Sequence, residues 1–165
     1  MNVKHFHNQY EIFYIIEGER QFFFDNKSYN AYAGDIAILD TNLVHTTCSI
    51  SDEDKGYNRV ILYIDYEKMC DFDKKYPGLN LVNYFHNNYG IYHLNEDQRI
   101  AFLNLYRDLR HELTKKNSGY QSRVEIATIY WLYKLLSLKH DSTQIHAVIN
   151  SPKELSASNI RGYLE

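Results

Sequence analysis

The chain has 165 residues and a formal net charge of −3, from 18 basic and 21 acidic side chains. That balance argues against a phosphate-backbone binder in this segment, and the length suits one domain with at most a small appendage. The start has no apolar signal-peptide core, and no apolar run approaches the length of a membrane span. Because Cys48 and Cys70 have neither metal-site spacing nor a disulfide framework, we expect a protein of the reducing cytoplasm with no membrane partner.

Residues 1–65 have the pattern of short β-strands separated by turns. Residues 10–17 are apolar on both alternating faces, which predicts a strand buried on both sides, and Gly18 ends it. Short strands at regular intervals are typical of a sandwich or barrel. Further elements are predicted as strands over 21–25, 28–32, 36–39, 46–50, 57–64 and 91–94, with a turn at 25–28, and as a short helix over 66–73.

Two longer helices are predicted next. Asn95 and Gln98 have the pattern of a capping box, and apolar residues then recur at helical spacing up to a stop at 115–119. A second helix, over 120–140, carries two apolar stripes. The barrel can cover one stripe, and a second copy of the chain would cover the other. The alternative is a core helix inside a monomer. The residues that we assign to dimerisation are Leu103, Tyr106, Leu109, Leu113, Ile126, Ile129, Tyr133 and Leu136.

The end of the chain changes character twice. Residues 141–158 are polar and rich in serine, which is typical of a linker. Residues 160–165 become apolar again, as expected where a further helix begins.

Four side chains stand out as a candidate polar site: His5, His7, Glu11 and His45. Imidazole and carboxylate groups serve as metal ligands, as acid–base groups and as hydrogen-bond partners. In a straight strand Glu11 would lie about 13 Å from His7, so convergence requires a bend at residues 8 and 9. By ligand type the set suits Zn, Fe, Mn or Ni; the alternative is that these side chains line a pocket or satisfy buried polar groups.

Aromatic side chains supply the rest of the candidate pocket: Tyr14, Phe22, Phe24 and Tyr63. By strand parity Phe22 and Phe24 share one face and Phe23 takes the other. A sugar or another small polar effector would fit a wall of aromatic, histidine and glutamate side chains. The alternative is a packed barrel with these rings in its core.

Two segments resemble the cupin motifs. The spacing His-x-His-x3-Glu-x6-Gly at 5–18 is similar to the first motif, and Gly-x5-Asp-x-Asn-x2-His at 34–45 is similar to the second. In the second segment Asp40 and Asn42 stand where Pro and Gly are usual.

The closer resemblance is to the N-terminal cupin-like domain of AraC-type transcription regulators. It is carried by His-x-His-x-x-Tyr-Glu-Ile-x-Tyr-Ile-Ile-x-Gly at 5–18, by Tyr-Ala-Gly-Asp-Ile-x-Ile-Leu at 32–39 and by the order of the elements. The resemblance implies an α+β, mainly β fold, with a cupin-like (jelly-roll) β-barrel followed by two antiparallel helices. The implied regions are the barrel at 1–94, a helical dimerisation hairpin at 95–140, and a linker with the start of a truncated helix-turn-helix region at 141–165.

The resemblance also implies a function. We expect a ligand-sensing and dimerisation domain rather than an enzyme, and we expect it to form a homodimer. It would bind DNA only through a C-terminal domain that this chain lacks, and it would need no cofactor. The alternatives are a small metal-dependent cupin enzyme, such as an oxygenase or isomerase, and a carbohydrate-binding module. The expected effector-binding residues are His5, His7, Glu11, Tyr14, Phe22, Phe24, His45 and Tyr63, and the metal ligands of the alternative are His5, His7, Glu11 and His45.

Overall fold

The structure of the chain, a computed structural model, describes residues 8–51, 56–138 and 143–148. Within these ranges the chain forms two β-sheets and a layer of helices. The strands are β1 (Gln9–Glu17), β2 (Glu19–Phe24), β3 (Lys27–Tyr32), β4 (Asp35–Leu39), β5 (Thr46–Cys48), β6 (Asn58–Asp65), β7 (Gly90–His93) and β8 (Thr143–Gln144). The helices are α1 (Tyr66–Lys75), α2 (Leu81–Asn88), α3 (Glu96–Lys115) and α4 (Tyr120–Leu135).

The two sheets face each other across an apolar interior. The larger sheet has the strand order β6-β1-β4-β7-β8 and the smaller has the order β3-β2-β5, with antiparallel pairing throughout. The side chains between the sheets, which we call the inner core, are Phe13, Ile15, Phe22, Phe24, Ala31, Ala37, Leu39 and Ile91. The strand pattern therefore leads to two packed sheets, as the sequence predicts.

Strand β1 is buried on both faces. Phe13 and Ile15 belong to the inner core, whereas Ile12 and Tyr14 point to the opposite side and pack with the helices. Successive side chains alternate across a strand, so the even-numbered and odd-numbered residues of β1 serve two different cores. This explains the apolar run at residues 10–16.

The turn between β2 and β3 sets which face of β2 points inward. Phe24 pairs with Lys27, so Asp25 and Asn26 form a two-residue loop, with φ of 51° and 57°. Positive φ at both central positions is the signature of a type I′ turn, and Asp and Asn tolerate it better than most residues. The resulting register places Phe22 and Phe24 in the inner core.

Helix α3 begins as the sequence predicts. The Gln98 amide donates to the Asn95 side chain at 2.9 Å, and the Asn95 amide donates to the Gln98 side chain at 2.9 Å, so the capping box is confirmed. Helix α4 ends at Leu135, before the predicted end at residue 140.

Helix α2 is an element that the sequence did not predict. Its own N-cap side chain makes no capping bond; instead Asp73 of α1 accepts hydrogen bonds from the amides of Leu81 at 2.6 Å and Val82 at 3.0 Å. These bonds satisfy two of the donors that a helix start leaves free. The cap comes from a residue eight positions away, which a local start signal does not reveal.

The helices share one core with the outer face of the larger sheet. Trp131 of α4 packs edge-on against Phe102 of α3, with ring centres 4.9 Å apart, and its indole donates to the Phe102 carbonyl at 3.3 Å. Both residues belong to the same buried cluster as Tyr14 and Ile36 of the sheet. The barrel and the helices are therefore packed as one unit, and no described helix is long and apolar enough to cross a membrane.

Part of the expected linker lies on the barrel. Strand β8 pairs with β7 at the edge of the larger sheet, and the amides of Ile145 and Val148 donate to the carbonyls of Ile91 and Ser28, at 2.8 and 2.7 Å. Hydrogen bonds thus join the segment 143–148 to both sheets. The predicted start of a helix-turn-helix region, at 160–165, lies outside the described residues. The α+β fold class with a cupin-like barrel and two long antiparallel helices is confirmed.

Candidate functional site

Glu11 and His45 meet at one end of the inner core. Glu11 lies on the inner face of β1, between Leu39 of β4 and Tyr63 of β6 in the strand register. His45 directly precedes β5, which pairs with β2 of the facing sheet. The Nε2 atom of His45 lies 3.3 Å from Oε2 of Glu11, and the side chains are 23% and 13% exposed. The structure thus brings together two of the four candidate polar residues, from opposite sheets.

The hydrogen bonds of His45 favour its charged form. Its Nδ1 atom lies 2.9 Å from the Leu43 carbonyl, which can only accept, and its Nε2 atom faces the Glu11 carboxylate. Both ring nitrogens therefore find acceptors, and only an imidazolium donates from both. Burial by itself lowers the pKa of His45, but the bonds to Glu11 and to the Leu43 carbonyl outweigh it, and the pKa is raised above 6.5.

Tyr63 completes the rim at this end. It pairs directly with Glu11 across β1 and β6, so the two side chains share a face, and its ring is 50% exposed. Partial burial, followed by the negative charge of Glu11, raises the pKa of the Tyr63 hydroxyl. The hydroxyl is therefore a neutral donor beside an ion pair, at a position that solvent can reach.

Phe22 and Phe24 lie behind this rim, in the inner core. Phe22 meets Phe13 edge-on, with ring centres 5.1 Å apart, and Phe24 stacks on Tyr29 at 4.3 Å. Tyr14 lies elsewhere: it belongs to the helix-side cluster, on the other face of β1. The predicted aromatic wall is therefore divided, because both faces of β1 are apolar and the apolar pattern alone does not show which one is inner.

The predicted metal site is described only in part. His5 and His7 lie outside the described residues, so their distance to Glu11 and His45 is not part of the structure. Among the residues that the structure does describe, no group of three or more His, Cys, Asp or Glu side chains could hold a metal ion. The four-ligand site therefore stays a prediction.

Two further histidine–carboxylate pairs were missed in the sequence. His93 Nδ1 lies 2.6 Å from Oδ1 of Asp35, a carboxylate that is 1% exposed and also accepts from the Tyr32 amide at 2.8 Å. His86 Nδ1 lies 3.1 Å from Oδ2 of Asp40. The partners are far apart along the chain, and only the strand pairing of β4 with β7 would have revealed the first pair.

The opposite end of the inner core carries two arginines that were also missed. Arg20 has the same parity on β2 as Phe22, and Arg59 pairs with Ile15 across β6 and β1. Their guanidinium carbons lie 4.5 and 4.7 Å from the centre of the Tyr57 ring. The parity of Arg20 with Phe22 was the available signal, since a cation in register with core phenylalanines points toward the interior.

Helix α4 exposes an apolar face. Ile126, Tyr130 and Tyr133 are 67%, 47% and 54% exposed, and they line an open groove of about 650 Å³ between α4 and the segment that joins α1 to α2. Of the residues assigned to dimerisation, Leu109 is buried in the core. Four more are partly buried: Leu103, Tyr106, Ile129 and Leu136. The exposed ones are Leu113, Ile126 and Tyr133.

Comparison with known proteins identifies the family. The model of the AraC-like ligand binding domain matches residues 3–132. Among solved structures, the AraC-like transcriptional activator CuxR has a TM-score of 0.55 at 10% identity over 96% of this chain. An apo ToxT variant from Vibrio cholerae strain SCE256 has the same TM-score at 16% identity, also over 96% of the chain. A search of curated protein sequences gives no match.

The chain covers 51% of the CuxR structure and 58% of the ToxT structure, so it spans little more than half of their lengths. At such low identity the two structures support the fold alone. The family model covers most of the chain and includes both Glu11 and His45. The chain belongs to the family of AraC-like ligand-binding domains of transcription regulators.

Proposed function

We propose that this chain is the effector-sensing and dimerisation part of a transcription regulator, and that a small polar effector binds where Glu11, His45 and Tyr63 converge. The observation that carries the proposal is the ion pair of Glu11 with His45 at the rim of an aromatic interior. The carboxylate has accepting positions left, the tyrosine hydroxyl donates, and rings lie behind them. A sugar presents hydroxyl groups and apolar C–H faces that match such a surface.

The same end of the barrel offers a route from the effector to the rest of the chain. In the larger sheet, Glu11 of β1 pairs with Leu39 of β4. The neighbouring residue Ile38 pairs with Gly90 of β7, and Tyr89 directly precedes Gly90. The Tyr89 hydroxyl donates to Asp25 at 2.6 Å, and Ile145 packs against the inner core nearby. An effector that shifts this end of the barrel would alter the contacts of the segment 143–148, and therefore the orientation of the residues that follow this segment.

Titration with neutral aldoses, read from the imidazole resonances of His45 by NMR, tests the effector proposal. We expect at least one aldose to shift these resonances in a saturable way, and Glu11→Gln to abolish the shift. Glu67→Gln is the matched control, since Glu67 is an exposed residue of α1, and it leaves the shift intact. An aldose panel with no effect, or an equal effect on Glu11→Gln, would contradict the proposal.

We further propose that two copies pair through the exposed face of α4. Packing α4 antiparallel against its copy, centred between residues 129 and 130, places Ile126 opposite the partner's Tyr133. The same register places Glu125 opposite the partner's Lys134. Glu125 is held in place by Lys75 at 2.7 Å and Lys68 at 3.0 Å.

Sedimentation equilibrium tests the dimer. We expect a two-chain mass at micromolar concentration, and Ile126→Glu to shift the mass to that of one chain because it introduces charge into the apolar contact. Ile100→Glu is the matched control, since Ile100 is exposed on α3 away from the groove. A monomeric wild-type chain, or equal loss of mass in both variants, would contradict this arrangement.

A further inference from the structure

The end of the inner core opposite the Glu11–His45 pair is positively charged. Arg20 reaches it from β2 in the smaller sheet, and Arg59 from β6 in the larger sheet. Arg59 pairs with Ile15, four residues along β1 from Glu11, which corresponds to about 13 Å of strand. The two cations are therefore well separated from the effector site proposed above, and a role for them stands independently of it.

The guanidinium groups of Arg20 and Arg59 both contact the ring of Tyr57. Arg20 lies 4.5 Å and Arg59 4.7 Å from its ring centre, and Arg59 also lies 5.7 Å from the centre of the Phe13 ring. Stacking on aromatic rings orients the planar groups without using their N–H donors. Both groups therefore lie at the same ring, at the same end of the barrel.

Most donors of the two arginines remain available. Arg20 donates from Nε to Thr47 Oγ1 and from Nη1 to Ser49 Oγ, both at 3.3 Å. A guanidinium carries five N–H donors, so these two bonds leave three. Within the described ranges Arg59 makes no side-chain hydrogen bond, and no ion pair joins either arginine to a carboxylate, although Glu17 and Glu19 are near in the chain.

Among the residues that the structure describes, no carboxylate pairs with these two arginines, in a chain with net charge −3. Two like charges at one barrel end repel each other, and a bound anion would remove that repulsion. Arginine forks match carboxylate and phosphate oxygens in a bidentate manner, and the Thr47 and Ser49 hydroxyls can donate to the same oxygens. We propose that Arg20 and Arg59 form a binding site for the carboxylate or phosphate group of a small molecule.

Thermal unfolding of the 165-residue chain in inorganic phosphate tests the site, with chloride added to keep the ionic strength constant. We expect phosphate to raise the unfolding midpoint in a saturable way, because a ligand that binds only the folded state stabilises it. Arg59→Gln should abolish the rise, and Arg59→Lys should weaken the apparent affinity by about tenfold, since lysine cannot bind bidentately.

Arg110→Gln is the matched control, because Arg110 is an exposed arginine on α3, remote from the site. It should respond to phosphate as the wild type does. A parallel titration with acetate shows whether carboxylate or phosphate is preferred. An unchanged wild-type midpoint in both anions, or an equal rise in Arg59→Gln and Arg110→Gln, would overturn the proposal.

Discussion

The two ends of the inner core handle charge in opposite ways. At one end Glu11 and His45, from facing sheets, lie 3.3 Å apart and neutralise each other. At the other end Arg20 and Arg59, also from facing sheets, meet on Tyr57 without a described carboxylate partner. The comparison separates two uses of a polar group at a barrel rim: a matched pair contributes to stability, and an unmatched pair depends on what binds there.

The phenylalanines between the two ends should matter most for stability. Phe22→Ala removes a fully buried ring from the inner core, which costs about 3–5 kcal/mol. Phe23→Ala is the matched control, since Phe23 faces the other side of β2 and is only partly buried, and it should cost much less. Urea unfolding followed by circular dichroism measures both. Equal losses would mean that the two sheets do not pack as described.

Loss of the matched pair should have the next largest effect. Glu11→Gln removes the negative charge that pairs with His45 and should lower the free energy of unfolding by about 1–3 kcal/mol below pH 6.5. Because the pKa of His45 is higher in the folded than in the unfolded chain, its stabilising effect is complete below the unfolded value. It is lost as the pH rises through the folded pKa.

Urea unfolding at a series of pH values therefore tests the sign of this effect. The difference between wild type and Glu11→Gln should shrink as the solution becomes more alkaline. Glu67→Gln, at an exposed position of α1, should show no such trend. A difference that grows with pH would show that His45 is not the positive partner.

The titration of His45 itself sharpens the comparison. In Glu11→Gln the pKa of His45 should fall, because the carboxylate that offsets the effect of burial has gone. The pH dependence of the imidazole carbon-bound proton shifts in NMR spectra measures it. An unchanged pKa would assign the raised value to the Leu43 carbonyl alone.

The unmatched end should contribute least to stability. Arg59→Gln removes an exposed cation that stacks on Tyr57 and Phe13, and we expect a loss of no more than about 1 kcal/mol without added anions. Urea unfolding in chloride buffer measures it. A loss as large as that of Glu11→Gln would mean that the arginines are structural and would remove the contrast between the two ends.

Much of the fold could be predicted because it depends on local patterns. The double apolar run of β1, the turn at Asp25 and Asn26, and the capping box of Asn95 with Gln98 each have a short-range physical cause. Parity alone places Phe22 and Phe24 on one face. Helix α2 could not be predicted in this way, because its cap is Asp73 of another helix.

The site was less predictable because it joins elements that are distant in the chain. The distance between Glu11 and His45 depends on how two sheets close, and strand spacing does not determine it. Tyr14 was grouped with the wrong face because β1 is apolar on both sides. Arg20 and Arg59 share no motif, and only their common contact with Tyr57 shows that they lie close to the same ring.

One titration reads both ends of the barrel at once. In nitrogen-15 NMR spectra near neutral pH, inorganic phosphate should shift the Nε resonances of Arg20 and Arg59 in a saturable way. The ring nitrogens of His45 should stay where they are, because the Glu11 carboxylate already occupies that end. A shift of His45 with unmoved arginines, or equal shifts at both ends, would contradict the division of the barrel into a matched and an unmatched end.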